Sequence, residues 1–154
     1  MLRPIRKRSL PPGDKVPVKP YLLWSEAYAI GVESIDDDHQ RLFALVNEFH
    51  VAVQTGQVPK TIRATLGELA RYTIQHFDRE EATMQSASYP GLDQHKELHA
   101  RLRRAVAATL KSHEVAARLF DYASFIGFLK NWLTNHILVE DRKFADYLAR
   151  SEAT

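Results

Sequence analysis

Two residue pairs constrain this chain more than anything else in it: His76 with Glu80, and His95 with His99, each four residues apart. The first pair ends a periodic run, Thr61 to Ile74, that holds one Gly and no Pro and therefore reads as helix. On a helix, side chains four apart share a face, with about 5–6 Å between their Cβ atoms. An imidazole thus stands beside a carboxylate, and, one connection later, an imidazole stands beside another. His39 precedes both pairs, and His136 with Asp141 follows them. Five of the seven histidines and two carboxylates fall on four successive helical segments. That is the pattern of a metal site.

The segments themselves follow from hydrophobic period and punctuation. Tyr21 to Ser34, with Trp24, Tyr28 and Ile30, reads as a lead-in whose aromatics pack on the domain. A first helix is expected from near Ile35 to Thr55-Gly56. Asp36, Asp37 and Asp38 serve its cap and first turn, and Leu42, Phe43, Leu45, Val46 and Phe49 form its apolar stripe. A second runs from Pro59, a residue suited to a first turn, to about Gln85, burying Ile62, Leu66, Leu69, Ile74 and Phe77. Tyr89-Pro90-Gly91 is a turn. A third spans Leu92 to Ser112 on Leu98, Leu102, Val106 and Leu110. A fourth begins near Val115 and passes through Phe120, Ile126, Leu129, Leu133 and Ile137 to Tyr147. Short loops make successive helices antiparallel neighbours, so the expected fold is all-α, an up-down-up-down four-helix bundle.

Composition excludes several alternatives. At 154 residues the chain suits one domain with a real core. It has no cysteine, hence no disulfide, thiolate zinc site, iron–sulfur cluster or thiol catalysis. No apolar run reaches the ~20 residues that span a bilayer. The basic start is not followed by an apolar leader core, so a cytoplasmic protein is expected. Residues 1–20 hold six Lys/Arg, one acid and five of the seven prolines. They read as a flexible basic arm, with residues 21–150 as the domain. The arm offers a contact for an acidic partner, while the remainder is mildly acidic, which gives nucleic-acid binding no support.

In the expected topology all seven side chains gather at one end of the bundle, where facing helices commonly build metal sites. Imidazole with carboxylate suits iron, zinc or manganese, and zinc saturates with four ligands. Seven protein ligands are too many for one ion, so the site should hold two. His50 and His113 stand outside this set. His50 lies eleven residues past His39, ~16 Å along the axis. Both read as surface or satisfied core residues.

Taken together, these pieces resemble the hemerythrin family in its single-domain bacterial form. The matching residues are Trp24-Ser25, Ile35-Asp36-x-x-His39, His76-Phe77-x-x-Glu80-Glu81-x-x-Met84, Tyr89-Pro90, His95-x-x-x-His99 and Trp132-Leu133-x-x-His136-Ile137-x-x-x-Asp141. The resemblance implies two non-haem irons with an oxo or hydroxo bridge. It gives His95, His99 and His136 to one iron, His39 and His76 to the other, and makes Glu80 and Asp141 the bridges. Two octahedral irons offer about twelve positions; that ligand set leaves one over, on the two-histidine iron, where dioxygen would bind. Leu42, Phe43, Trp132 and Leu133 flank the ligands by one turn and are expected to line an oxygen pocket.

Two positions depart from a simple reading. Spacing alone selects Glu140, four past His136; the resemblance selects Asp141, five past, about 140° around an ideal helix. A local widening of the π type would reconcile them. Asp38 stands where relatives often carry Gln or Glu, and little consequence is expected of it. The resemblance implies reversible dioxygen binding for transport, storage or delivery to an oxygen-consuming enzyme. Sensing of oxygen or nitric oxide through a partner, and di-iron oxidoreductase chemistry, are the alternatives.

Overall fold

The computed structural model describes residues 17–153, so most of the basic arm, residues 1–16, lies outside the described residues. Four helical rods form the expected antiparallel bundle. They are α1 (Glu33–Gln54), α2 (Pro59–Ser86), α3 (Leu92–Ala116) and a composite fourth rod. That last rod is α4 (Tyr122–Asn135), a π-helical segment His136–Asp141, and α5 (Arg142–Glu152), joined through helical backbone angles without a break. No strand occurs among the described residues. Nor is any helix among them long and apolar enough to cross a membrane.

Helix ends follow local chemistry. Pro59 sits in the first turn of α2, where its missing N–H costs nothing. Gly56, at φ 62°, closes α1. Its N–H reaches Val53 O and that of Gln57 reaches Ala52 O, the paired closure that needs a left-handed residue. Asp36 is not the cap of α1, which begins three residues earlier at Glu33. Its carboxylate instead accepts the N–H groups of Ile30 and Gly31 at 2.8 and 3.0 Å. These bonds tie the lead-in to the first turn.

The fourth rod differs most from expectation. Helix α3 runs on to Ala116, a short 3-10 turn covers Ala117–Leu119, and α4 starts only at Tyr122. Asp121 is the cap, accepting Ser124 N–H at 3.0 Å and Ser124 Oγ–H at 2.6 Å. Val115 is exposed rather than a starting core residue. Ile74, expected inside, is 45% exposed; on α2 it falls between Thr73 and His76, and Thr73 takes the inward position.

Leu42, Leu45, Val46, Phe49, Leu66, Leu129, Leu133 and Ile137 form the common core. The lead-in packs as its aromatics suggest: Trp24 and Tyr28 meet Phe43 edge-on at 5.4 and 5.0 Å. Asn47 fastens it by accepting the N–H of Tyr21 and Leu22 and donating to Leu22 O. Arg142 donates to the carbonyls of Ala27 and Ala29.

Candidate metal centre

His39 near the start of α1, His76 and Glu80 late in α2, His95 and His99 at the start of α3, and His136 and Asp141 of the π segment meet at one end of the bundle. All seven are buried. Spacing places the α2 and α3 pairs. The bundle brings the four rods together, and the π segment does the rest. Its wider turn lets residues five apart share a face, so Asp141 points inward with His136. Glu140 stays outside and pairs with Lys143 at 2.8 Å.

The ligand-type atoms fall into two groups that share carboxylates. His99 Nε2 is 3.0 Å from His136 Nε2, and His136 Nε2 is 3.1 Å from His95 Nε2. Glu80 Oε2 lies 3.2 Å from His95 Nε2 and 3.1 Å from His99 Nε2. Asp141 Oδ1 lies 3.3 Å from His95 Nε2 and 3.1 Å from His136 Nε2. The other Asp141 oxygen, Oδ2, faces His39 Nε2 at 3.2 Å. On that second side, His39, His76 and Glu80 bring ligand-type atoms within 4.8 Å of one another.

These separations, 3.0 to 3.3 Å, are those of atoms that can share one cation. Ligand atoms ~2.1 Å from one ion lie about 3.0 Å apart at right angles and about 3.4 Å apart at tetrahedral angles. The edges observed fall between the two. The hydrogen bonding agrees: Glu80 Oε1, both Asp141 oxygens and both ring nitrogens of His39 are buried without a hydrogen bond. Each such orphan costs roughly 1–3 kcal/mol, and a cation removes several of these costs at once.

The two carboxylates are already charged for one. Burial alone would raise the carboxyl pKa values of Glu80 and Asp141. The facing imidazoles outweigh it: hydrogen bonds from His95 and His99 hold Glu80 at about 2, and the charge of His136 and His39 holds Asp141 well below its usual range. Burial opposes charge on His39 and His95, yet Asp141 and Glu80 respectively push those imidazoles up. His99 goes the other way, lowered mainly by burial.

Aromatic stacking orients the rings. Phe77 lies flat on His99, centroids 3.6 Å apart at 6°, and Trp132 lies on His136 at 4.4 Å and 13°. A further support was invisible in the sequence. Glu81 Oε1 lies 2.9 Å from His99 Nδ1. Asp38, of which little consequence is expected, has its Oδ2 3.3 Å from His76 Nδ1. It is buried, and burial would raise its carboxyl pKa, but bonds from His76, Arg79 and Tyr72 hold it far below its usual range.

Beside the cage a small apolar cavity of about 20 Å³ is lined by Leu42, Val46, Thr73, Phe77, Trp132 and Leu133 among others. Thr73, its one hydroxyl, is committed to Leu69 O at 2.8 Å. A water needs two or more polar partners, so the space suits a small apolar molecule better. Phe43 lies apart from it, among the lead-in aromatics.

Fold and site together define a four-helix bundle with a histidine-rich cage for two cations. A family profile described as the hemerythrin HHE cation binding domain matches residues 30–148. The bacteriohemerythrin of Stenotrophomonas maltophilia is 32% identical over 125 residues, 81% of this chain and 80% of that protein. Hemerythrin subunit 1 of Golfingia vulgaris is 30% identical over 128 residues, 83% and 94% of the two chains. A crystal structure of wild-type hemerythrin superimposes with a TM-score of 0.75 at 29% identity, covering 82% of this chain and 96% of the other. The chain belongs to the hemerythrin family.

Proposed function

We propose that this chain binds dioxygen reversibly at a non-haem di-iron centre, as a carrier, store or delivery protein rather than an enzyme. The observation that supports it is the unequal cage: three imidazoles converge on one side and two on the other, with Glu80 and Asp141 between. In this reading His95, His99 and His136 hold one iron and His39 and His76 the other. Glu80 and Asp141, which stand between the two histidine groups, would be shared by both irons, with an oxo or hydroxo group completing the centre. Bound iron supplies the electrons that dioxygen takes up on binding and returns on release.

The chain's own residues do the rest. Five neutral imidazoles against two carboxylates favour the ferrous state and easy release, whereas the carboxylate-rich cages of ferritin-like proteins use Glu-x-x-His sets. Glu80 and Asp141 supply the negative charge without which cations would not enter a buried site. Leu42, Phe77, Trp132 and Leu133 keep water from the adjoining cavity, which slows irreversible oxidation.

Anaerobically reduced protein, mixed with oxygen in a stopped-flow cell and then degassed, tests the proposal. A visible charge-transfer band should rise with oxygen, vanish on degassing and return over repeated cycles. Leu42→Ala should keep the band but shorten its lifetime several-fold, because water enters. One-way conversion to ferric protein with release of hydrogen peroxide in a single exposure would make the protein an oxidase or one-shot sensor instead.

A further inference from the structure

We propose that Asp38, gripped by Arg79 and Tyr72, is a positioning residue that presents His76 to the two-histidine metal position; this rests on the di-iron reading above. Asp38 is 8% exposed, and a carboxylate that deep needs donors. It has them from one face of α2. Arg79 Nε donates to Oδ2 at 2.8 Å and Arg79 Nη2 to Oδ1 at 2.7 Å. Tyr72 Oη donates to Oδ1 at 2.8 Å. The forked guanidinium contact fixes the plane of the carboxylate as a single ammonium could not. The free side of Oδ2 is thereby turned to His76 Nδ1, 3.3 Å away.

That contact determines which nitrogen of His76 is free. An arginine-paired carboxylate only accepts, so His76 Nδ1 must donate, and Nε2 is left with a bare lone pair. This is the form that binds a cation. Tyr72 and Arg79 stand four before and three after His76, so the three share a helical face and close on Asp38 together. The next residue in α1 is His39, so two consecutive residues supply one histidine of this position and the support of the other. The opposite position has its own arrangement: Glu81 faces His99 Nδ1 at 2.9 Å and takes Arg103 Nη2 at 3.4 Å. Each half of the cage is therefore steadied by a different carboxylate–guanidinium pair.

The test is metal retention in the full-length iron-loaded protein under a rising concentration of chelator, followed by iron analysis and Mössbauer spectra of ⁵⁷Fe-loaded samples. Asp38→Ala should release one iron about 10–100-fold more readily, the usual cost of losing such a partner, while the second iron stays and its spectrum persists. Arg79→Ala, which leaves the carboxylate but removes its fork, should show the same selective loss to a smaller degree. It carries the test should Asp38→Ala fail to fold. Glu81→Ala should loosen the other iron instead. Retention of both irons as in the unaltered protein, or loss of both together at one chelator concentration, overturns the assignment. Fewer than two irons in the unaltered protein overturns the di-iron reading itself, and this inference with it.

Discussion

His113, near the end of α3, is buried in ordinary company. Its Nε2 lies 2.8 Å from Tyr122 Oη, and Phe120 packs edge-on at 5.5 Å. Fourteen residues earlier on the same helix, ~21 Å along its axis, His99 is buried as deeply, but its Nε2 faces another imidazole nitrogen at 3.0 Å. The helix, the burial and the residue type are the same, yet the arrangement is opposite. Tyr122 Oη takes Nε2 of His113, and among the described residues no other polar group bonds its Nδ1. Around His99 the polar atoms converge on each other, and several beside it make no hydrogen bond at all. A buried histidine is thus no sign of a metal site; histidines and carboxylates turned toward one another are.

The largest effect should come from removing a carboxylate at the crowded end. Asp141→Ala should lower iron retention by more than 100-fold, since it takes away both oxygens that face His39 and His136. Glu140→Ala, one residue earlier, should leave iron content and visible spectrum unchanged; losing its exposed contact with Lys143 costs at most about 1 kcal/mol. The reverse outcome would mean that the π segment points the wrong carboxylate inward.

Stripping the metal should come next in size. Ligation is coupled to folding, so chelated protein should melt at a lower temperature, and amide exchange should quicken around His39, His76 and His136. Exchange around His113 and Tyr122 should change little. Uniform loosening along the whole of α3 would erase the contrast between the two ends.

The smallest effect belongs to His113. Burial is the main cause that lowers its pKa, aided by Arg63 and only partly opposed by Glu114, so the unfolded chain binds the proton more tightly. Its contribution is complete above the unfolded value of about 6.5 and shrinks as pH falls below it. His113→Gln should therefore flatten the pH dependence of stability below that point and leave iron content untouched. An unchanged pH profile would show that His113 is accommodated equally well with its proton.

Much of this was legible from spacing. His76 with Glu80 and His95 with His99 sit four apart on uninterrupted helices, so their faces followed from helical period alone. The end of α3 did not: Ser112 to Ala116 carries no breaker, and the signal that starts α4, Asp121 with Ser124, was masked by the apolar residues before it. Asp141 needed a turn wider than any ideal helix, which resemblance supplied and spacing contradicted. Asp38 was missed for a different reason. Its partners Tyr72, His76 and Arg79 lie more than thirty residues away, and only the packing of α1 on α2 reveals them. Periodicity reports which side of a helix faces inward, not which atoms wait there.

The central claim is that one end of this bundle is a cage for two irons, and counting the metal tests it most directly. Full-length protein purified after expression with ample iron should carry two irons per chain, lost together with the visible spectrum when the metal is chelated. One zinc per chain, or no metal at all, would contradict it.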